Sequence, residues 1–396
     1  MATISASIYG NPESRLSVTG VTGTNGKTTT THMLRSIFID AGKRVGVIGT
    51  LGTYLDEEHL PGARTTPEST DLYATLALMV ERGITHVFME VSSHALELHR
   101  VTGIKFDVAV FTNLTQDHLD FHGSMENYFV AKARLFTSEF TNQAVICIDD
   151  DWGKKLATES HIPVLTIGRD GNWKTSGVNS SPDGLTTQNI DIENSGEISL
   201  SVNMLGSYNA TNAACALAAS QFLGLSIPVS LESLKNVRPI PGRLEKVSIA
   251  SPGTAFVDYA HTPDAVATVL TVIKEANPEK IITVIGCGGD RDASKRALMG
   301  KALLEGADVA IFTSDNPRSE KADAILVQMT LGLDIAEPSA VIEDRAEAIK
   351  AAVNEANEGD LVIVLGKGHE KGQEINGVVH PFDDRIELAK AIEDKK

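Results

Sequence analysis

Residues 19–31, TGVTGTNGKTTTT, set glycines, a lysine and hydroxyls in the order that phosphate chemistry requires. A phosphate loop needs glycines so that successive backbone N–H groups can face phosphate oxygens. It also needs a lysine that reaches the β- and γ-phosphates and a hydroxyl for Mg2+. Gly23, Gly26, Lys27 and Thr28 supply those parts, with Thr24, Asn25 and Thr29 among them. The strict spacing would place glycine at position 21, where this chain has Val21, so the loop is a variant. The plain alternative is a glycine-rich turn before a helix. The order of strand, turn, Gly-Lys-Thr and helix favours the phosphate loop, and the free N–H groups and dipole of the helix start favour ATP there.

Two further stretches carry charge where it is costly. FMEVSSHALELHR places Glu90 at the end of a buried strand, where a carboxylate needs a partner or a metal, and Mg2+ is its natural companion beside a phosphate loop. FTNLTQDHLDFHG gathers Asn113, Asp117, His118, Asp120 and His122. A histidine there, taken alone, is more often a hydrogen-bonded loop residue than a ligand; beside Lys27, Thr28 and Glu90 the group reads as a metal site. AKARLF puts Lys132 and Arg134 on a helix, where a solvated basic face is the simplest expectation. In SDNPRSE, Arg318 offers a planar fork suited to a carboxylate and Asn316 an amide beside it, against the alternative of a proline turn after a strand.

These residues must be held by strands that alternate with helices. RLSVTGV, RVGVIGT, HVFMEVS, VAVFTNL and QAVICID read as strands of a mostly parallel sheet, the α/β pattern. Residues 170–203 are turn-rich with late alternation and predict β-hairpins and loops, and SYNATNAACALAASQFLGL an Ala-rich helix ending near Gly224. RPIPGRLEKV, with two prolines and a glycine, predicts a domain boundary near residue 240. After it TAFVDYAH, IITVIGCGG, VAIFTSD and LVIVLGKG predict a second, Rossmann-like α/β domain, giving domains 1–239 and 240–396.

The 396 residues, 42% hydrophobic and 22% charged, suit two or three ordinary globular domains. A formal charge of −17 argues against a general nucleic-acid or membrane-surface binder, while local basic groups can still take anions. Cys147, Cys215 and Cys287 lie far apart without paired spacing, which argues against a disulfide framework or a zinc site. The N-terminus MATISASIYGNPESR lacks a basic start and an apolar core, and no apolar run nears the roughly 18 residues of a membrane span. A cytoplasmic protein is expected.

GVTGTNGKTTT, TTPEST, MEVSSHAL, FTNLTQDHLDFHG, AKARLF, LGSYNATNA, PGRLE, VDYAHTPDA, GCGGDRD, SDNPR and GKGHE occur in that order. From about residue 8 to the C-terminus the series resembles the Mur ligases of peptidoglycan synthesis, and looks most like their MurE branch, the muramyl-tripeptide synthetases. The resemblance implies a P-loop-type central ATPase domain and ATP-dependent amide formation: a substrate carboxylate takes the γ-phosphoryl group to form an acyl phosphate, and an amine displaces phosphate. Charge management is then the main task. By motif matching Lys27, Glu90, His118 and Lys132 are catalytic. Gly23, Thr24, Asn25, Gly26, Lys27, Thr28 and Thr29, with Asn209, Arg243, Asp258, Tyr259 and His261, bind ATP. Thr28 and Glu90 hold one Mg2+, and His118 helps to hold a second. Lys132 sits where the family carries a carbamylated lysine (N6-carboxylysine), which supports that second metal.

Thr65, Thr66, Ser92 and Arg100 match positions that contact the muramyl-peptide acceptor. Arg291, Asp315, Asn316, Arg318, Gly366 and Glu370 match the amino-acid site. D-N-P-R marks family members that add meso-diaminopimelate: an unpaired Arg318 would repel lysine's ammonium, whereas Glu370 could hold an ammonium of diaminopimelate. The branch usually has a further, first domain for the uridine diphosphate of the acceptor, and this chain is expected to lack it, a partner supplying that domain being one reading. A monomer is expected, as is closure of the two domains on substrate. Two other readings stay open: an amino-acid ligase acting on another carboxylate that is not UDP-linked, and a silent nucleotide-binding scaffold, against which the intact Lys27, Thr28, Glu90, His118 and Lys132 argue.

Overall fold

A computed structural model describes residues 1–395 apart from 63, 182, 194 and 249–252; the side chains of Asp120 and Ser248 are also outside the described part. The chain divides into two compact units, one of residues 1–178, 187–203 and 208–238, the other of 179–186, 204–207 and 239–396.

The first unit is built on strands β1 (Ser17–Thr22), β2 (Val45–Gly49), β3 (Gly52–Leu55), β4 (Glu58–Leu60), β5 (His86–Glu90), β6 (Val108–Phe111), β7 (Ala144–Cys147), β8 (Val164–Gly168), β9 (Trp173–Ser180), β10 (Thr186–Ile192) and β11 (Gly196–Val202). Among the described residues their sheet runs β11-β10-β9-β8-β7-β6-β1-β5-β2-β3-β4. The pairs from β2 through β5, β1, β6, β7 and β8 to β9 are parallel, while β3 and β4 add an antiparallel edge. The central strands are short β-branched and aromatic runs buried on both faces, as a helix-covered parallel sheet demands. The stretch 170–203, read as hairpins and loops, becomes β9 to β11.

Strand order decides where a site can form. After β1 the chain passes through the helix Lys27–Asp40 to β2, on the β5 side; after β6 it passes to β7, on the opposite side. β1 and β6 are neighbours. A crevice therefore opens at their carboxyl ends, the usual ligand position in such sheets. The phosphate loop leaves β1 there, the segment Asn113–His122 leaves β6, and β5 brings Glu90 level with Val21.

The second unit has β12 (Glu245–Ser248), β13 (Gly253–Asp258), β14 (Ile281–Cys287), β15 (Val309–Ser314), β16 (Ala340–Val341) and β17 (Asp360–Leu365), in the order β12-β13-β17-β14-β15-β16. β12 is antiparallel to β13 and the remaining pairs are parallel. The register sets Asp258 opposite Leu365, Ile285 opposite Leu365 and Cys287 opposite Ser314, so the loops after β13, β14, β15 and β17 leave from one edge. One face of this sheet packs on the helices Arg345–Glu355 and Asp384–Lys395 through Val257, Val284, Val364, Ile349, Val353 and Leu388. A two-stranded hairpin, β18 (Gly372–Ile375) with β19 (Val378–Pro381), follows β17. Among the described residues no helix is long and apolar enough to cross a membrane.

Candidate active site

The loop between β1 and the helix Lys27–Asp40 is shaped by two glycines with left-handed backbone. At Gly23 (φ 149°) a Cβ would lie 2.0 Å from Thr112 Oγ1, and at Gly26 (φ 85°) one would lie 2.3 Å from Asn212 Oδ1. No side chain fits at either position without moving a neighbour. Asn25 N–H donates to Asn113 Oδ1 (2.9 Å) and Thr24 N–H to the Asn113 carbonyl (2.9 Å), which ties the loop to the β6 segment. Lys27 Nζ turns back to the carbonyls of Gly23 (2.9 Å) and Thr24 (2.7 Å). Thr29 is buried behind the loop, and Val21, where a strict motif has glycine, is buried in β1.

Glu90 is buried at the end of β5 and gathers three donors: Thr28 Oγ1 (2.9 Å), Thr50 N–H (2.8 Å) and Thr50 Oγ1 (3.1 Å). The three donors are neutral, so this buried carboxylate has room for the positive charge that a bound cation would supply. A hydroxyl and a carboxylate beside a phosphate loop are hard oxygen donors of the kind Mg2+ selects. The residues therefore fit one Mg2+ at Thr28 and Glu90.

The donors assigned to a second metal are placed differently. Among the described residues no three His, Cys, Asp or Glu side chains converge as a metal-binding group. His118 (φ 53°) is half exposed, 3.3 Å from Asp117, with its ring 4.8 Å from that of His94. His122 is buried against Ser93 Oγ (2.9 Å), and Asn113 serves the phosphate loop.

Lys132 departs from the solvated basic face expected for AKARLF. It is buried, donates to the Gly23 carbonyl (2.8 Å) and lies 4.6 Å over the Tyr128 ring. Burial, with the charge of Lys27 nearby, holds its ammonium well below the usual lysine range. Arg134, one residue beyond the same helix, points instead to His99 (3.1 Å) and Glu97 (3.8 Å). His118 and Lys132 flank one ring, since Tyr128 also lies 6.1 Å from His118. Burial pushes the Tyr128 hydroxyl up to about 12, so it remains a neutral partner for Thr24 Oγ1 (3.3 Å).

The residues matched to the acceptor form a network around Glu90. Thr65 pairs with Thr50 (3.1 Å), and Thr66 Oγ1 donates to the Glu90 carbonyl (2.7 Å) and accepts from Ser92 N–H (3.1 Å). Ser92 Oγ caps the helix Ser93–Glu97 by accepting from Ala95 N–H (3.2 Å). Arg100 is buried, donates to the Thr66 carbonyl (3.2 Å) and pairs with Glu68 (2.7 Å). Asn209, matched to the nucleotide, is buried on the helix Ser207–Phe222 and accepts from Asn212 Nδ2 (3.3 Å).

In the second unit, the loop after β13 holds Asp258, buried, accepting from Leu244 N–H (2.7 Å) and Ala260 N–H (2.8 Å); burial raises its pKa against those contacts. Tyr259 lies 4.6 Å from His261, ring to ring, with the Arg243 guanidinium 5.5 Å from its centre. Thr262 is the N-cap of the helix Pro263–Glu275, accepting from Ala265 N–H (3.3 Å).

The loops after β14, β15 and β17 converge. Arg291 is exposed, its Nη1 on the Asp290 carbonyl (3.3 Å). Asn316 Nδ2 donates to Glu370 Oε2 (2.8 Å), and Arg318 Nη1 to the Gly289 carbonyl (2.6 Å). Gly366 (φ 109°) lets the chain pass Asp315, whose Oδ2 would lie 2.7 Å from a Cβ there. Burial raises the Asp315 carboxyl, opposed by Arg345 and Lys367. Two expectations change. Arg318 is not unpaired, because Glu374 Oε2 lies 3.2 Å from its Nε. Glu370 already holds an ammonium, that of Lys367 at 3.3 Å.

A family model described as the Mur ligase middle domain matches residues 21–220, and one described as the Mur ligase, glutamate ligase domain matches residues 242–368. The chain belongs to the Mur ligase family. A relative from Streptomyces coelicolor, named UDP-N-acetylmuramoyl-L-alanyl-D-glutamate–2,6-diaminopimelate ligase, is 44% identical over 402 residues, covering 99% of this chain and 79% of the relative. A solved structure of a ligase with the same name is 36% identical over 96% of this chain and 79% of its own, with a TM-score of 0.74. A folylpolyglutamate synthase from Mycobacterium tuberculosis shares the fold at 17% identity and a TM-score of 0.72, over 92% of this chain and 91% of its own.

Three residues of this Mur ligase escaped sequence reasoning. Asn212 packs on Gly26 and was legible only as the second asparagine of NATN. Lys367 is fully buried, with Nζ 3.0 Å from Asn316 Oδ1 and 3.8 Å from Asp315 Oδ1; a lysine directly after the apolar run LVIVLG was the available signal, the same one that exposed Glu90. Glu374 had no signal, because its partner is 56 positions away by number, 374 against 318.

Proposed function

We propose that this chain is an ATP-dependent, ADP-forming ligase that joins meso-diaminopimelate to UDP-N-acetylmuramoyl-L-alanyl-D-glutamate in peptidoglycan synthesis. The observation that carries the reading is the buried Glu90 carboxylate set against Thr28 at the phosphate loop, in a chain 44% identical to a ligase so named. The loop N–H groups and Lys27 would receive the β- and γ-phosphates; Thr28 and Glu90 would hold Mg2+, which would supply the charge that lets two anions approach. Thr66, Ser92 and Arg100 would orient the acceptor carboxylate, which attacks the γ-phosphorus to give an acyl phosphate and ADP. The amine of the amino acid then adds to the acyl carbon, loses a proton and expels phosphate.

Lys132 is read as the carbamylated lysine. Carbamate formation needs the neutral amine, which attacks CO2 and releases a proton, and burial favours the neutral form. The product is an anion that a cation in the crevice would stabilise, where the ammonium would be repelled. In the second unit Arg318, Arg291, Asn316 and Glu370 are read as the amino-acid site, with Asn316 fixed as a donor. Its Oδ1 faces Lys367 Nζ and Glu374 N–H, both donors, so its amide nitrogen must face outward and toward Glu370.

The test is phosphate release from ATP with this acceptor and either meso-diaminopimelate or lysine. Release with diaminopimelate far above that with lysine is expected; equal rates would sink the substrate assignment, and no release with either would sink the activity.

A further inference from the structure

The hairpin β18–β19 grips the loop that bears Arg318. Gln373 Nε2 donates to the Asp315 carbonyl (2.7 Å), Glu374 N–H to Asn316 Oδ1 (2.9 Å), Arg318 N–H to the Glu374 carbonyl (3.0 Å) and Asn376 N–H to the Arg318 carbonyl (2.7 Å). Arg318 itself has φ 53°, a conformation that a long side chain rarely adopts and that persists only where surrounding contacts over-determine it. Backbone contacts thus fix where the Arg318 side chain begins.

At the other end of the side chain the guanidinium meets the Gly289 carbonyl and the Glu374 carboxylate. A guanidinium has five N–H groups and two bidentate faces, the side edge made by Nε with one terminal nitrogen and the end made by both terminal nitrogens. Glu374 Oε2 lies 3.2 Å from Nε as an ion-pair partner beside the side edge, and the Gly289 carbonyl takes one Nη1 hydrogen at 2.6 Å. The side edge faces a carboxylate of the protein, so a second carboxylate is disfavoured there by charge and the end face is the one left to grip a ligand carboxylate with two parallel bonds. The Glu374 side chain is 38% exposed and that of Arg318 20%, so the pair lies at the rim of the loop cluster, where solvent would otherwise let the fork turn.

We infer that Glu374 is a positioning residue for amino-acid selection: its charge beside Nε, with the Gly289 carbonyl on Nη1, orients the Arg318 fork so that the end face meets the distal carboxylate of the incoming diamino acid. This rests on the reading of Arg318 as the carboxylate receptor for diaminopimelate. It adds that a carboxylate of the protein itself, carried on a different element, sets the angle of approach. Loss of Glu374 removes the counter-charge at the side edge and leaves the fork on the Gly289 carbonyl, so it samples orientations in which one or neither bond to the ligand forms.

The experiment compares wild type with Glu374→Ala, Glu374→Gln and Glu374→Asp in steady-state kinetics, varying diaminopimelate, ATP and acceptor in turn. Glu374→Ala should raise KM for diaminopimelate about tenfold, the loss expected for a charge-assisted contact, with kcat and the KM values for ATP and acceptor within about twofold. Glu374→Gln keeps the length and one acceptor oxygen, so it should fall between Glu374→Ala and wild type; Glu374→Asp, too short to reach Nε, should resemble Glu374→Ala. The hairpin's grip uses the Glu374 backbone, so all three variants should melt with wild type. An unchanged KM for diaminopimelate, or a parallel rise in all three KM values, would overturn the positioning role. A wild type that fails to prefer diaminopimelate over lysine would instead overturn the substrate reading on which it rests.

Discussion

Lys132 is the residue whose environment constrains its chemistry most. Its folded pKa lies below the unfolded value, so the folded state carries fewer protons than the unfolded state between those two values. Stability contributed by this group therefore rises as pH climbs through that window and levels off near the ordinary lysine pKa of about 10.4. In CO2-free buffer, urea unfolding at pH 8 and pH 10 should show wild type gaining on Lys132→Met as pH increases, and a constant difference would count against a buried, readily neutral amine. The same reading predicts that Lys132→Ala abolishes ligase turnover and that acetate or formate restores part of it. Full activity of the untreated variant would remove the carbamate from the mechanism.

At the level of elements, the phosphate loop depends on two chain segments far apart in sequence. Gly26 begins the helix Lys27–Asp40 in a left-handed conformation, and the helix Ser207–Phe222 brings Asn212 against it. Gly26→Ala meets both obstacles at once, a strained φ worth about 1–3 kcal/mol and a clash with Asn212 Oδ1. It should lower the melting temperature and weaken ATP binding at least about tenfold, as calorimetry would record. Adding Asn212→Ala relieves the clash but not the strain, so recovery should be partial; full recovery would mean that backbone conformation costs little here.

Over the second unit as a whole, one ion pair holds several elements together. Arg345 and Asp384 are both fully buried and bidentate, with Arg345 Nε and Nη2 each 2.7 Å from a carboxylate oxygen. Arg345 also donates to the carbonyls of Ser314 (3.2 Å) and Leu365 (2.9 Å), the last residues of β15 and β17. It therefore joins the helices Arg345–Glu355 and Asp384–Lys395 to the edge from which the amino-acid loops leave. Removing one partner strands a buried charge: Arg345→Met should cost about 3–5 kcal/mol in denaturant unfolding, and pairing it with Asp384→Leu should recover much of that. A small effect of the single substitution would show that water reaches the site.

Much of this was legible because periodicity and motif spacing are local. The strands that carry Thr22, Glu90, Phe111, Asp258 and Ser314 are buried β-rich runs that read as strands wherever they occur. The residue types at their carboxyl ends, Gly-Lys-Thr, a buried glutamate and Asp-Asn-Pro-Arg, are suited to phosphate and carboxylate chemistry by their donors and charges alone, which is what made them candidates. Strand order was not legible, and order is what set β1 beside β6 and so brought Asn113 to the phosphate loop. Nor was the burial of Lys132, on a helix whose sequence suits a solvated face, or the pairing of Arg318 with Glu374. A side chain's charge is intrinsic to it, whereas its solvation and its counter-ion belong to whatever the fold places around it. The sequence by itself thus determined the family and the α/β fold and nominated the groups that could react; only the tertiary structure decided which charges are buried and which, like Arg318 and Glu370, are already held.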